Sequence, residues 1–183
     1  MKTLRRMAGG IAAITLLALG GCVGAVAEGA NIAKDKATVS NNIEAARAGD
    51  AEAQYKVGDA LCCSLNEGEG FYDTPHSVAW LCSAAAQRHG PASLKLGEIY
   101  AGDTISGARL LRRAARGLAG SSTNMTVAYA WLRRADFLGV EAAREPANEI
   151  WSGLNAAERG DAEAMATGQK ELPCEWSAVI AGG

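Results

Sequence analysis

Apolar residues recur three and four apart along most of this chain, and β-branched alternation of the strand kind is almost absent. Ala53, Val57 and Leu61 sit four apart and share one face of a helix. Trp80 and Ala84, and again Trp131 and Ala135, set a large ring over a small partner at the same interval. Leu110, Leu111, Ala114, Ala115 and Leu118 fall on one side of a helix over Ala108 to Leu118. Two stretches break the pattern. An unbroken apolar run covers Ile11 to Leu19, and residues 23–40 mix small, polar and charged residues with no sustained period. Alanine, the best helix former and small enough to let helices approach closely, is abundant throughout. The pattern predicts an all-α domain.

The helical segments repeat. "AEAQYKVGDAL" from Ala51 aligns with "GPASLKLGEIY" from Gly90 at an offset of 39 residues, pairing Ala53 with Ala92, Val57-Gly58 with Leu96-Gly97 and Leu61 with Tyr100. "VAWLCSAAA" from Val78 aligns with "YAWLRRADF" from Tyr129 at an offset of 51. Two kinds of helix therefore alternate, with periods that point to αα-hairpins stacked as a solenoid. A hairpin alone would leave one apolar face in water, and stacking buries it. Asp50 before the first helix and Thr74-Pro75 before the second read as N-terminal caps, with Gly70 and Gly90 marking ends. The pentapeptide "GDAEA" occurs at Gly49 to Ala53 and at Gly160 to Ala164, but its second copy lacks the following "LG" and does not make a third repeat.

These motifs resemble the Sel-one-like repeat (SLR), a relative of the tetratricopeptide repeat. The first unit carries "AEAQYKVGDAL", the loop "NEGEGFYDTP" and "SVAWLCSAAAQRHG"; the second carries "ASLKLGEIYAGD" and "VAYAWLRRADFLG". The second departs through a longer connection, "TISGARLLRRAARGLAGSSTNM". The resemblance implies a helical-repeat domain over residues 41–172, with repeats at about 51–90 and 91–142, an insert at 104–125 and closing helices at 143–172. Residues 173–183 are expected to form a tail. It also implies a non-catalytic adaptor that holds a protein or peptide of the bacterial envelope, or that self-associates.

The first residues, "MKTLRRMAGGIAAITLLALGGC", run from a basic front through the apolar stretch to small residues. That is the order of a secretory signal, and the apolar run is short for a bilayer. The ending "LGGC" resembles the bacterial lipobox, with Gly20 where alanine or serine is commoner. The resemblance implies removal of residues 1–21, acylation of Cys22 and firm anchoring by several fatty chains such as palmitate. Residues 22–40 are then expected to be a flexible tether. Val23, where an inner-membrane signal would have aspartate, favours the outer membrane, with the folded part facing the periplasm.

Charge narrows the partners. The formal net charge is −2, and cleavage would take away Lys2, Arg5 and Arg6 and no acidic group. This sign disfavours nucleic acid. No phosphate-cradling glycine loop or nucleophile motif accompanies His76 or His89, so no catalytic residue, metal or cofactor is assigned. Contact residues for a partner are expected among polar and aromatic positions off the packed faces: Tyr72, His76, Tyr129 and the insert's Arg109, Arg112, Arg113 and Arg116. Cys62, Cys63, Cys82 and Cys174 suit an oxidising compartment. A bond between the adjacent pair would close a strained ring, so Cys82 is expected to bond one member of the doublet and Cys174 the other. The rival reading makes the protein a thiol- or metal-handling redox or assembly helper built on Cys62, Cys63 and Cys82, with His76 as a further ligand.

Overall fold

The computed structural model describes residues 31–63, 71–102 and 124–180. Cys22, the signal segment, the helix expected at Ala108 to Leu118 and Arg109, Arg112, Arg113 and Arg116 lie outside them. The chain divides into two compact units, Met1–Ala37 and Thr38–Gly183. In the first, residues 31–37 are helical. The second opens with helical residues 38–47 (α1). The helical state thus extends back over residues 31–40, which the sequence reading assigned to the tether. Val39, Ile43 and Ala46 explain the part in the second unit. They pack with Ala53, Val57, Leu61 and Trp80 in a small core of their own, so burial overrides a weak local pattern.

The described elements are all helical, without a strand among them. After α1 come α2 (Ala51–Leu61), α3 (Thr74–Ala86), α4 (Gly90–Ala101), α5 (Met125–Phe137), a 3₁₀ turn (Glu141–Ala143), α6 (Arg144–Gly153), α7 (Ala156–Ala166) and α8 (Trp176–Ile180). The most extensive packing joins α2 to α3 and α4 to α5; α3 on α4 links these pairs, and α5 also carries α6 and α7. α2 and α3 are antiparallel. The Asp73 N–H bonds the Leu61 carbonyl at one end, and Gln87 Nε2 bonds the Gly49 carbonyl and Gln54 Oε1 at the other.

The aligned residues make the same contacts twice. Gly58 lies against Leu81, and Gly97 against Leu132, so closely that neither glycine has room for a side chain. The Leu61 carbonyl receives the Asp73 N–H at 3.0 Å, and the Tyr100 carbonyl receives the Asn124 N–H at 3.0 Å. The helix starts correspond too. Asp50 caps α2 through the Ala53 N–H and His89 Nδ1 caps α4 through the Ala92 N–H. Asp73 caps α3 through the His76 N–H, and Asn124 caps α5 through the Val127 N–H. An acidic, amide or imidazole acceptor fills the same place, because the helix needs a lone pair aimed at an orphan N–H.

Two local expectations are corrected. The cap of α3 is Asp73, which puts Thr74 and Pro75 in the first turn. Gly90 opens α4 rather than ending α3, in a tight contact with Val140, while the left-handed residue of that turn is Arg88 at φ 63°. Beside them His89 is the N-cap of α4; its Nδ1 accepts and its Nε2 reaches Glu52 at 3.0 Å. The two "GDAEA" copies also differ in role. Gly49 (φ 97°) and Asp50 form a turn and a cap, whereas Gly160 to Ala164 lie inside α7. α7 starts instead at Asn155, whose side chain and that of Glu158 form a reciprocal capping box.

Candidate functional site

Of the sequence-derived contact residues, Tyr72, His76 and Tyr129 are among those the structure describes, and Tyr129 stands apart from the other two. Tyr72 and His76 share the start of α3. Tyr72 is half-buried with the Phe71 ring edge-on at 5.3 Å, and His76 is exposed, its Nδ1 2.6 Å from Asp73 Oδ2. Burial opposes ionisation of Asp73, but the His76 backbone N–H and ring outweigh it and hold the carboxyl below its ordinary value.

Tyr129 is not a surface contact. It is buried in the packing of α5, with its ring 4.8 Å from Trp151 and its hydroxyl donating to the Glu163 carboxylate on α7. Tyr129 aligns with Val78, and a residue on the inward face of the first hairpin gives the reason: that face of α5 is covered by α6 and α7. Burial first, then the bond to Glu163, pushes its phenol up to about 12. The neutral phenol is the form the fold prefers. Its stabilising contribution is full below the unfolded value of about 10 and is lost as pH rises from there through about 12. In a spectrophotometric titration the last tyrosine to ionise should therefore be Tyr129, and Tyr129→Phe should remove that last component.

The cysteines pair differently from expectation. Cys62 and Cys63 bond to each other where the chain leaves α2, with Cα atoms 3.1 Å apart, and Cys82 bonds Cys174 with Cα atoms 5.7 Å apart. Cys82, on α3, faces the C-terminal segment, and that segment brings Cys174 within reach, so the doublet is left to itself. All four cysteines adjoin the largest apolar cluster. Among the described residues no group of three or more His, Cys, Asp or Glu could hold a metal ion.

What brings Cys174 to α3 is the most elaborate polar contact between distant parts of the chain. Residues 171–175 have no regular structure and run between α7 and α8. Trp131 on α5 donates its Nε1–H to the Pro173 carbonyl at 3.0 Å. The hydroxyl of Tyr100, at the end of α4, has the Glu175 carbonyl at 3.0 Å and the Pro173 carbonyl at 3.2 Å to share its one hydrogen, and accepts the Glu175 N–H at 3.1 Å. Tyr100 and Trp131 are almost wholly buried, at 0% and 3% exposure. Burial raises the Tyr100 phenol above its ordinary value, the Glu175 N–H works against this, and the Glu175 charge adds to it. Leu172, Trp176 and Ala178 pack on the same cluster, which includes the buried Val179.

Residues 172–179 are thus a packed strap, not the expected tail. A backbone without ladder partners needs side-chain partners when it is covered, and Tyr100 and Trp131 supply them. The repeat alignment treated both as core residues and missed this role; "LPCEW", a proline and a cysteine between apolar residues after a polar run, was the available signal. The segment shows what this face accepts: an irregular, non-helical backbone presenting carbonyls, flanked by apolar side chains. No family model, curated protein or solved structure matches this chain.

Proposed function

We propose that this protein is a lipid-anchored scaffold of the bacterial envelope. In this reading Cys22 carries the acyl chains, the helical domain faces the periplasm from the outer membrane, and stacked αα-hairpins of the Sel-one-like kind hold a partner protein or peptide without catalysis. The observation that carries it is the duplicated hairpin: the same glycine-to-leucine contact, the same loop hydrogen bond and the same caps occur at offsets of 39 and 51 residues. Stacked repeats place side chains at regular intervals along a surface, which suits recognition of another chain. No helix among the described residues is long and apolar enough to cross a membrane, and lipid at Cys22 would supply the attachment.

Two measurements in intact cells test this. Cys22→Ser should move the protein out of the membrane fraction. A photo-crosslinking residue at the exposed position of His76 should trap one discrete partner, in larger yield from the anchored protein than from Cys22→Ser. Unchanged fractionation of Cys22→Ser, or no discrete adduct, would overturn the reading.

A further inference from the structure

We propose that the face made by Cys82 on α3, Tyr100 on α4 and Trp131 on α5 is a binding surface for a non-helical peptide with a proline carbonyl between apolar residues. The protein's own residues 172–179 occupy it, and reduction of the Cys82–Cys174 bond by a dithiol vacates it. The inference builds on the partner-binding reading above and gives the partner's chemistry.

The strap is attached in two ways. Covalently, one disulfide spans 92 residues of chain. Non-covalently, it relies on the indole N–H and phenol of Trp131 and Tyr100 and on the apolar side chains of Leu172, Trp176 and Val179. It has little cohesion of its own. α8 is five residues long, too short to be stable as an isolated helix, and residues 171–175 make no helix at all. Gly168, at φ 79°, stands where the chain leaves α7. Such a segment is a local unfolding unit whose order depends on what it is fastened to. The helices beneath need no such fastening, since α2 with α3 and α4 with α5 bury each other.

The release step balances. One thiolate of the dithiol attacks a sulfur of the Cys82–Cys174 bond, and the other cysteine leaves as a thiolate and takes a proton. The second thiol of the reductant then closes the reductant's own disulfide and frees the remaining cysteine. The dithiol is oxidised by two electrons, and Cys82 and Cys174 are reduced. What is uncovered is a pair of donors, Tyr100 and Trp131, set in apolar surface; a peptide carbonyl with apolar flanks replaces water on the donors for a modest net gain and covers the apolar surface again.

Hydrogen exchange of the full chain tests release. On reduction with dithiothreitol, or in Cys82→Ser/Cys174→Ser, amides of residues 175–180 should exchange roughly 100-fold faster or more, the scale of a crosslink closing a loop of this length. Amides of α2 to α5 should keep their protection. A strap that stays protected, or one that loosens only together with α2 to α5, overturns the proposal.

Capture tests the surface. In full-length Cys174→Ser, the Cys82 thiolate should attack a synthetic peptide of residues 170–180 carrying its cysteine as a 2-thiopyridyl disulfide, forming the mixed disulfide and expelling 2-thiopyridone. Capture at Cys82, located by mass spectrometry, should exceed that of a scrambled peptide with the same activated cysteine by about tenfold, the size of one good hydrogen bond. Trp131→Phe should narrow the gap. Equal capture of both peptides overturns the proposal. These outcomes are separable from failure of the scaffold reading, which would show as no partner adduct in cells even where peptide capture succeeds.

Discussion

Trp131→Ala should lower the stability of this protein by about 3–5 kcal/mol, moving the thermal midpoint down by roughly 6–20 °C for a chain of this size. The indole is 3% exposed within the largest apolar cluster, so its removal costs both the transfer of its atoms and the cavity left in that cluster. It also withdraws the N–H that holds the Pro173 carbonyl, leaving that oxygen a share of the Tyr100 hydroxyl. Trp131→Phe separates the two effects. It keeps most of the ring and drops the donor, at a cost of about 1 kcal/mol. The comparison that matters is Trp80→Ala, the same change at the aligned position. Trp80 is only half-buried, against the small core of Ala46, Ala53 and Val57, and its loss should cost about 1–3 kcal/mol. Denaturant titrations with an unchanged slope would measure all three. Equal losses at Trp80 and Trp131 would refute the packing described for the C-terminal strap.

Glycine-to-alanine changes should split by sign. Alanine in place of glycine inside a helix gains about 1 kcal/mol when nothing stands in the way. Nothing lies within 4 Å of a Cβ at Gly160, in the middle of α7, so Gly160→Ala should stabilise by about 0.5–1 kcal/mol. At Gly97 the new carbon would lie 2.6 Å from Leu132 Cγ and 3.2 Å from the Leu132 backbone nitrogen. At Gly58 it would lie 2.8 Å from Leu81 Cγ and 3.1 Å from the Ser77 carbonyl oxygen. Overpacking of this kind costs about 1–3 kcal/mol and outweighs the helix gain. Gly97→Ala should be the worse of the two, because its approach is closer. Thermal melts of the three variants check this directly, and a stabilised Gly97→Ala would mean that the hairpin packs less closely than described.

The helical class and the internal alignment were legible because both are local. Spacing of three and four residues decides which side chains share a face, and residues matched at offsets of 39 and 51 went on to make matched contacts. Of the matched tryptophans, by contrast, one is sealed and the other half-open, a difference that "AWL" written twice could not contain. Tyr129 looked like a surface aromatic on α5 until α6 and α7 were placed over it.

The site was legible only in its parts. Four cysteines behind a segment that reads as a secretory signal announced disulfides, but which sulfur meets which depends on where residues 171–175 lie, and those residues carry no period to read. Their position follows from two donors on other helices, Trp131 and Tyr100, reaching one stretch of backbone more than 40 positions further along the chain. The order of apolar and small residues by itself determined that this protein is made of helices and that two hairpins are built alike. Only the tertiary structure decided that its end is folded back across them, because helix formation is set by neighbours along the chain, while cover for buried donors comes from whatever segment can reach.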